Sequence, residues 1–96
     1  MGRIEELRWR DDRVEHIARH NVVPAEVEKV VLDDREAVLE KAGLAERNPS
    51  QTVYVLLGRT QAGRYLMVVL IHEGGGVGFP VTARDMNQAE RRRYSR

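Results

Sequence analysis

The residues of this chain best suited to chemistry are arginines. Of sixteen basic side chains fourteen are Arg, and the only lysines are Lys29 and Lys41. The informative ones lie in the second half: Arg59, Arg64, Arg84, then Arg91-Arg92-Arg93-Tyr94. A guanidinium is a flat fork of donors that matches phosphate oxygens in pairs and can stack on bases. Arg59 and Arg64 flank a short turn, and Arg84 ends a run of strand-forming residues. Neighbouring strands lie about 4.8 Å apart, so Arg64 and Arg84 are expected near each other on one sheet face. Such a cluster could hold several phosphates. It could also stabilise the negative charge that develops when a 2′-hydroxyl attacks a phosphodiester. The plain alternative is a solvated cationic surface.

Other catalytic arrangements find less support. His16 and His20 are four apart, which is metal-ligand spacing on a helix, but no His-Glu-x-x-His follows. Cysteine is absent, which excludes disulfides, Cys-zinc sites and thiol catalysis. No metal and no cofactor is therefore expected. His20 reads as a helix-end residue whose imidazole could serve as an acid or base, though capping or packing suits the position better. Gly74-Gly75-Gly76 and Gly78 lack the following Gly-Lys-Ser/Thr and lead into a strand, so they read as a hairpin turn. There is no Gly-x-Ser-x-Gly elbow, and no carboxylate pair sits in an apolar context.

The elements that must position these groups follow from periodicity. Ile4 to Trp9 reads as an edge strand. Asp11-Asp12 opens a helix whose Val14, Ile17 and Ala18 share a face and which ends at Arg19-His20-Asn21. Pro24 begins a second helix with Val27, Val30 and Val31 as its stripe, broken by Asp33-Asp34. Ala37-Val38-Leu39 is a short strand, followed by a polar loop ending in Asn48-Pro49-Ser50. Thr52 to Leu57, Arg64 to His72 and Val77 to Ala83 are strands of a meander, the middle one buried on both faces. Pro80 implies an edge or a bulge. Asp85 and Gln88 resemble a capping box for a last helix from Met86 to Tyr94. The order is β-α-α-β-β-β-β-α: an α+β domain with one antiparallel sheet.

Length and composition fit that reading. Ninety-six residues make a single domain, residues 1–96, with a modest core. At 42% hydrophobic and 32% charged the composition is globular. The longest apolar run, Leu66 to Ile71, is strand-sized, so no membrane span is expected. Met1-Gly2-Arg3-Ile4-Glu5-Glu6 does not read as a secretory signal, and with no cysteine a cytoplasmic location is expected. Net charge is only +1, but residues 24–47 are acidic and residues 48–96 are basic.

The second half resembles a known family. Leu56-Leu57-Gly58-Arg59-Thr60, Gly63-Arg64-Tyr65-Leu66-Met67-Val68-Val69, Thr82-Ala83-Arg84 and Glu90-Arg91-Arg92-Arg93-Tyr94 resemble the BrnT toxins. Trp9 followed by an acidic residue, and Arg19-His20 before a turn, agree with it. The resemblance implies a RelE-like fold and a ribonuclease that inhibits translation without a metal. It also implies a partner, the ribbon-helix-helix antitoxin BrnA, through whose complex alone operator DNA is bound. Carried over by position, it implies His20, Arg64, Arg84 and Tyr94 as catalytic residues and Arg59 as an RNA contact. Arg91, Arg92 and Arg93 are expected on flanking phosphates. Asn21 stands where the family usually has Gly, and Asp85 where a basic residue is common. Asp85 is expected to weaken the field beside Arg84. A catalytically silent member that serves as an antitoxin-binding co-repressor is the alternative. Direct DNA binding is disfavoured by the near-neutral charge.

Overall fold

A computed structural model describes residues 4–44, 51–72 and 75–95. Among these residues lie β1 (Glu6–Leu7), α1 (Asp11–Ala18), α2 (Pro24–Glu28), β2 (Val38–Leu44), β3 (Thr52–Arg59), β4 (Tyr65–His72), β5 (Val77–Asp85) and α3 (Gln88–Tyr94). The five strands form one sheet in the order β1-β5-β4-β3-β2. Strands β2 to β5 are an antiparallel meander, as expected. Strand β1 departs from the expectation, since it runs parallel to β5 through Glu6–Val77 and Leu7–Gly78. The fold is α+β. Met1-Gly2, the loop end Asn48-Pro49-Ser50 and Gly74 lie outside the described residues. No helix among the described residues is long and apolar enough to cross a membrane.

Local chemistry explains the helix ends. Asp11 and Asp12 occupy the first turn of α1, where the helix dipole favours negative charge. The chain leaves α1 through Asn21 at φ 59°, a left-handed conformation that Asn tolerates. Pro24 starts α2, and the Glu26 carboxylate accepts the Val23 N–H at 3.2 Å. α2 then widens into a π-helical turn over Lys29–Asp33, which periodicity did not reveal. Val30 in that turn packs so close to β3 that a Cβ on Gly58 would stand 2.8 Å from its own Cβ. Of the expected α1 stripe only Ile17 is buried. Val14 is half-buried and Ala18 exposed.

The sheet has two unequal faces. One packs Leu56, Leu66, Val68, Leu70 and Ala83 against Ile17, Val22, Val27 and Val30 of the N-terminal helices. The other buries only Leu57, Met67 and Met86 at the end covered by α3. Strand β4 is therefore not buried throughout on both faces: Val69 and Ile71 are half-buried. Strand β2 runs beyond the expected Ala37–Leu39 into polar sequence. Its outer side is a free edge, where charged residues such as Glu40 and Lys41 oppose unwanted pairing. A bulge follows at Lys41/Gly43. Pro80 lies beside the β5 register shift, where no ladder donor is required.

Helix α3 starts two residues later than expected. Its cap is Asn87, whose side chain accepts the Glu90 N–H at 2.8 Å while Glu90 accepts the Asn87 N–H at 2.8 Å. This capping box replaces the expected Asp85–Gln88 pair. Asp85 is the last residue of β5, and Met86 turns into the smaller core.

Candidate functional site

Strand alternation separates Arg64 from Arg84, against the expectation that they share a face. Register pairs Leu66 with Asp85 and Met67 with Arg84. Arg64 thus extends toward α1 and α2, and Arg84 toward α3. The Arg64 guanidinium donates Nε to Asp85 Oδ1 at 2.8 Å. Its Nη1 donates to both Glu26 oxygens at 2.9 and 3.0 Å and to the Asn21 carbonyl at 2.6 Å, and Nη2 to the His20 carbonyl at 3.4 Å. Bonding to Asp85 raises its pKa further, which fixes the cation. Arg64 therefore ties the end of α1, the start of α2 and the end of β5 together. The Asp85 carboxylate serves Arg64, and only its carbonyl meets Arg84, at 3.0 Å.

Arg84 forms a two-pronged pair with Glu90, Nη1–Oε1 at 2.8 Å and Nη2–Oε2 at 2.9 Å. Glu90 is 7% exposed. The Arg84 hydrogen bond holds its carboxyl below the usual carboxylate range despite burial. Arg93 pairs with Glu40 on β2 at 3.1 Å. Both pairs hold α3 on the sheet.

The arginines that remain accessible meet over Tyr65. Arg59 and Arg91 are exposed and form no ion pair among the described residues. Their Cζ atoms stand 5.2 and 4.1 Å from the centre of the Tyr65 ring. An aromatic face attracts such cations and holds them without neutralising them. Register explains the meeting, because Arg59 pairs with Tyr65 across β3 and β4, and α3 brings Arg91 over the same ring. Tyr94 packs edge-on against Tyr65, with centroids 5.8 Å apart at 83°.

Beside this cluster opens a cleft of about 370 Å³. Lys29, Arg35 and Arg59 line it together with Asp33, Asp34, Glu36 and Tyr94. Asp34 is its organiser. Its carboxylate accepts the Tyr94 O–H at 2.8 Å, the Arg59 N–H at 2.8 Å and the Glu36 N–H at 3.0 Å. Burial and then the bond to Asp34 push the Tyr94 phenol up to about 12. At neutral pH Tyr94 is an uncharged donor and no base. Arg92 is exposed on α3 beside Arg93 and forms no ion pair among the described residues.

His20 does not join this cluster. It is exposed at the end of α1, and its carbonyl faces Arg64. Its ring lies 5.6 Å from that of His16, whose Nε2 is 3.0 Å from Thr82 Oγ1. Among the described residues no three His, Asp or Glu side chains gather as a metal would require. Tyr65 and Asp34 stand at the site although their sequence context assigns neither a site role. Tyr65 could have been found by alternation, being one residue from Arg64 and hence on the other face. Asp34 carried no signal beyond helix breaking. The site is thus a tyrosine flanked by two unpaired guanidiniums next to a mixed-charge cleft, with Arg64 and Arg84 bound within the fold. In comparison with known proteins, no family model and no curated protein matches the chain.

Proposed function

We propose that the chain is a toxin-type ribonuclease of the kind its motifs resemble, with Arg59 and Arg91 as its phosphate-binding groups. One observation carries this reading: two accessible guanidiniums, in no ion pair among the described residues, gather over Tyr65, and one of them, Arg59, also lines the neighbouring cleft. Two such forks can hold a phosphodiester and favour the added charge of a 2′-hydroxyl attack. Tyr94, neutral and bound to Asp34, orients a neighbouring group by its ring and position. Arg64 and Arg84 support the site through the helices they anchor. Contacts to phosphates position a strand without reading its bases, so cleavage of loose sequence preference is expected. The antitoxin partner of ribbon-helix-helix type, and operator binding through it, belong to the same reading.

Purified protein is expected to cleave RNA in the presence of a chelator. Arg59→Ala and Arg91→Ala are each expected to slow cleavage about tenfold or more, the scale of one lost charged contact. Their circular dichroism should match the wild type. A catalytically silent, antitoxin-binding module is favoured by a different observation: Arg64 and Arg84 spend their donors on Glu26, Asp85 and Glu90. Expression without a partner separates the two. Growth arrest supports the nuclease, and harmless accumulation supports the module.

A further inference from the structure

Among the described residues, the sheet face that carries α3 is covered at one end only. α3 lies across the strands at that end, since Arg84 on β5 holds Glu90 near its start and Glu40 on β2 holds Arg93 near its end. Beneath α3, Leu57 is 0% and Met67 is 6% exposed. Farther along, Val53, Ile71 and Phe79 form a half-buried row across β3, β4 and β5. A groove of about 330 Å³ opens at the β5 side of that row, floored by Ile71, Phe79, Pro80 and Val81. Its wall is Arg8, Arg10 and Arg13, from the segment joining β1 to α1 and from α1 itself, together with Gln51 before β3.

Those three guanidiniums share two solvent-facing carboxylates. Arg8 meets Glu6 at 3.4 Å, and Arg10 and Arg13 both meet Asp12, at 3.2 and 3.8 Å. Exposed pairs of this kind contribute little and exchange readily for a better-placed anion. The apolar floor is mostly aliphatic, with Phe79 its one ring. That floor suits side chains better than bases, which need successive aromatic faces. A second copy docked through the same groove would offer this wall the same cations rather than carboxylates.

We propose that this groove docks an amphipathic helical segment of a partner polypeptide. Its apolar side chains cover Ile71, Phe79 and Val81, and its Asp or Glu side chains meet Arg8, Arg10 and Arg13. The segment would continue along the sheet the covering role of α3. This inference stands on the groove alone and holds whether or not the Tyr65 cluster cleaves RNA.

The test selects binders on the full-length chain from a displayed library of fourteen-residue helices, roughly four turns. Apolar residues are fixed at i, i+3, i+4 and i+7, and the flanks vary among Asp, Glu, Lys, Arg and Ser. Enrichment of Asp and Glu flanks is expected. Binding of the selected peptides should fall about tenfold or more in Arg10→Glu/Arg13→Glu and in Phe79→Asp. The double variant keeps the apolar floor, so its circular dichroism checks the fold, and it should prefer Lys-flanked helices instead. No enrichment, enrichment of neutral or basic flanks, or binding indifferent to the charge reversal overturns the proposal. So does displacement of the peptides by an oligouridine, or self-association of the chain through this face.

Discussion

Arg64 shows how one side chain can be structural while looking catalytic. Its donors reach Glu26, Asp85 and two carbonyls of the α1–α2 turn, so it is an internal staple. Arg64→Ala strands the half-buried Glu26 and loosens three elements. A destabilisation of about 2 kcal/mol is expected, since charged hydrogen bonds contribute about 1.5–3 kcal/mol and this pair is partly solvated. A urea midpoint measures it, and an unchanged midpoint contradicts the staple. Tyr94 gives a pH signature. Its folded pKa of about 12 lies above its ordinary 10.0. The associated stability is present below pH 10 and is lost as pH rises through the folded value. Phenolate absorbance should therefore show one late-titrating tyrosine that Tyr94→Phe removes.

At the scale of elements, α3 depends on the Arg84–Glu90 pair and on the Asn87 cap. Glu90 titrates below its ordinary 4.5, chiefly because Arg84 bonds to it. A depressed carboxyl stabilises the fold above the unfolded pKa, and that contribution disappears as pH falls through the folded value. Glu90→Gln should lower stability at neutral pH and flatten its loss in acid, read by denaturant melts across the acid range. Gly58 sets the seat of the π-helical turn. Gly58→Ala would press a methyl onto Val30 and is expected to cost about 1–3 kcal/mol, the scale of overpacking a core. The meander and the three helices were legible because alternation, Pro24 and the acidic first turn of α1 are local signals. The parallel pairing of β1, the length of β2 and the π turn were not, because tertiary partners decide them. The α3 cap was misplaced by two residues, since Asp85 and Asn87 are both capping types and Met86 between them belongs to the core.

At the scale of the molecule, one layer of sheet divides the arginines. Composition and spacing led to the cationic residues, and Arg59, Arg91 and Tyr94 do gather at one end of the face under α3. What spacing concealed was sidedness. A one-residue offset sends a side chain to the other face, so Arg64 and Arg84 parted although their strands are neighbours. Carboxylates then engaged them: Glu26 and Asp85, distant in sequence, hold Arg64, and Glu90 on the following helix holds Arg84. The two faces also differ in what covers them: among the described residues the N-terminal helices close one, and α3 closes only part of the other.

The most direct measurement compares RNA cleavage in chelator by wild type, Arg59→Ala/Arg91→Ala and Arg92→Ala, each at matched folded fraction. Cleavage by wild type and Arg92→Ala, with a loss of about a hundredfold in the double variant, is the expected result; equal cleavage by all three, or none by wild type, contradicts a phosphate site over Tyr65.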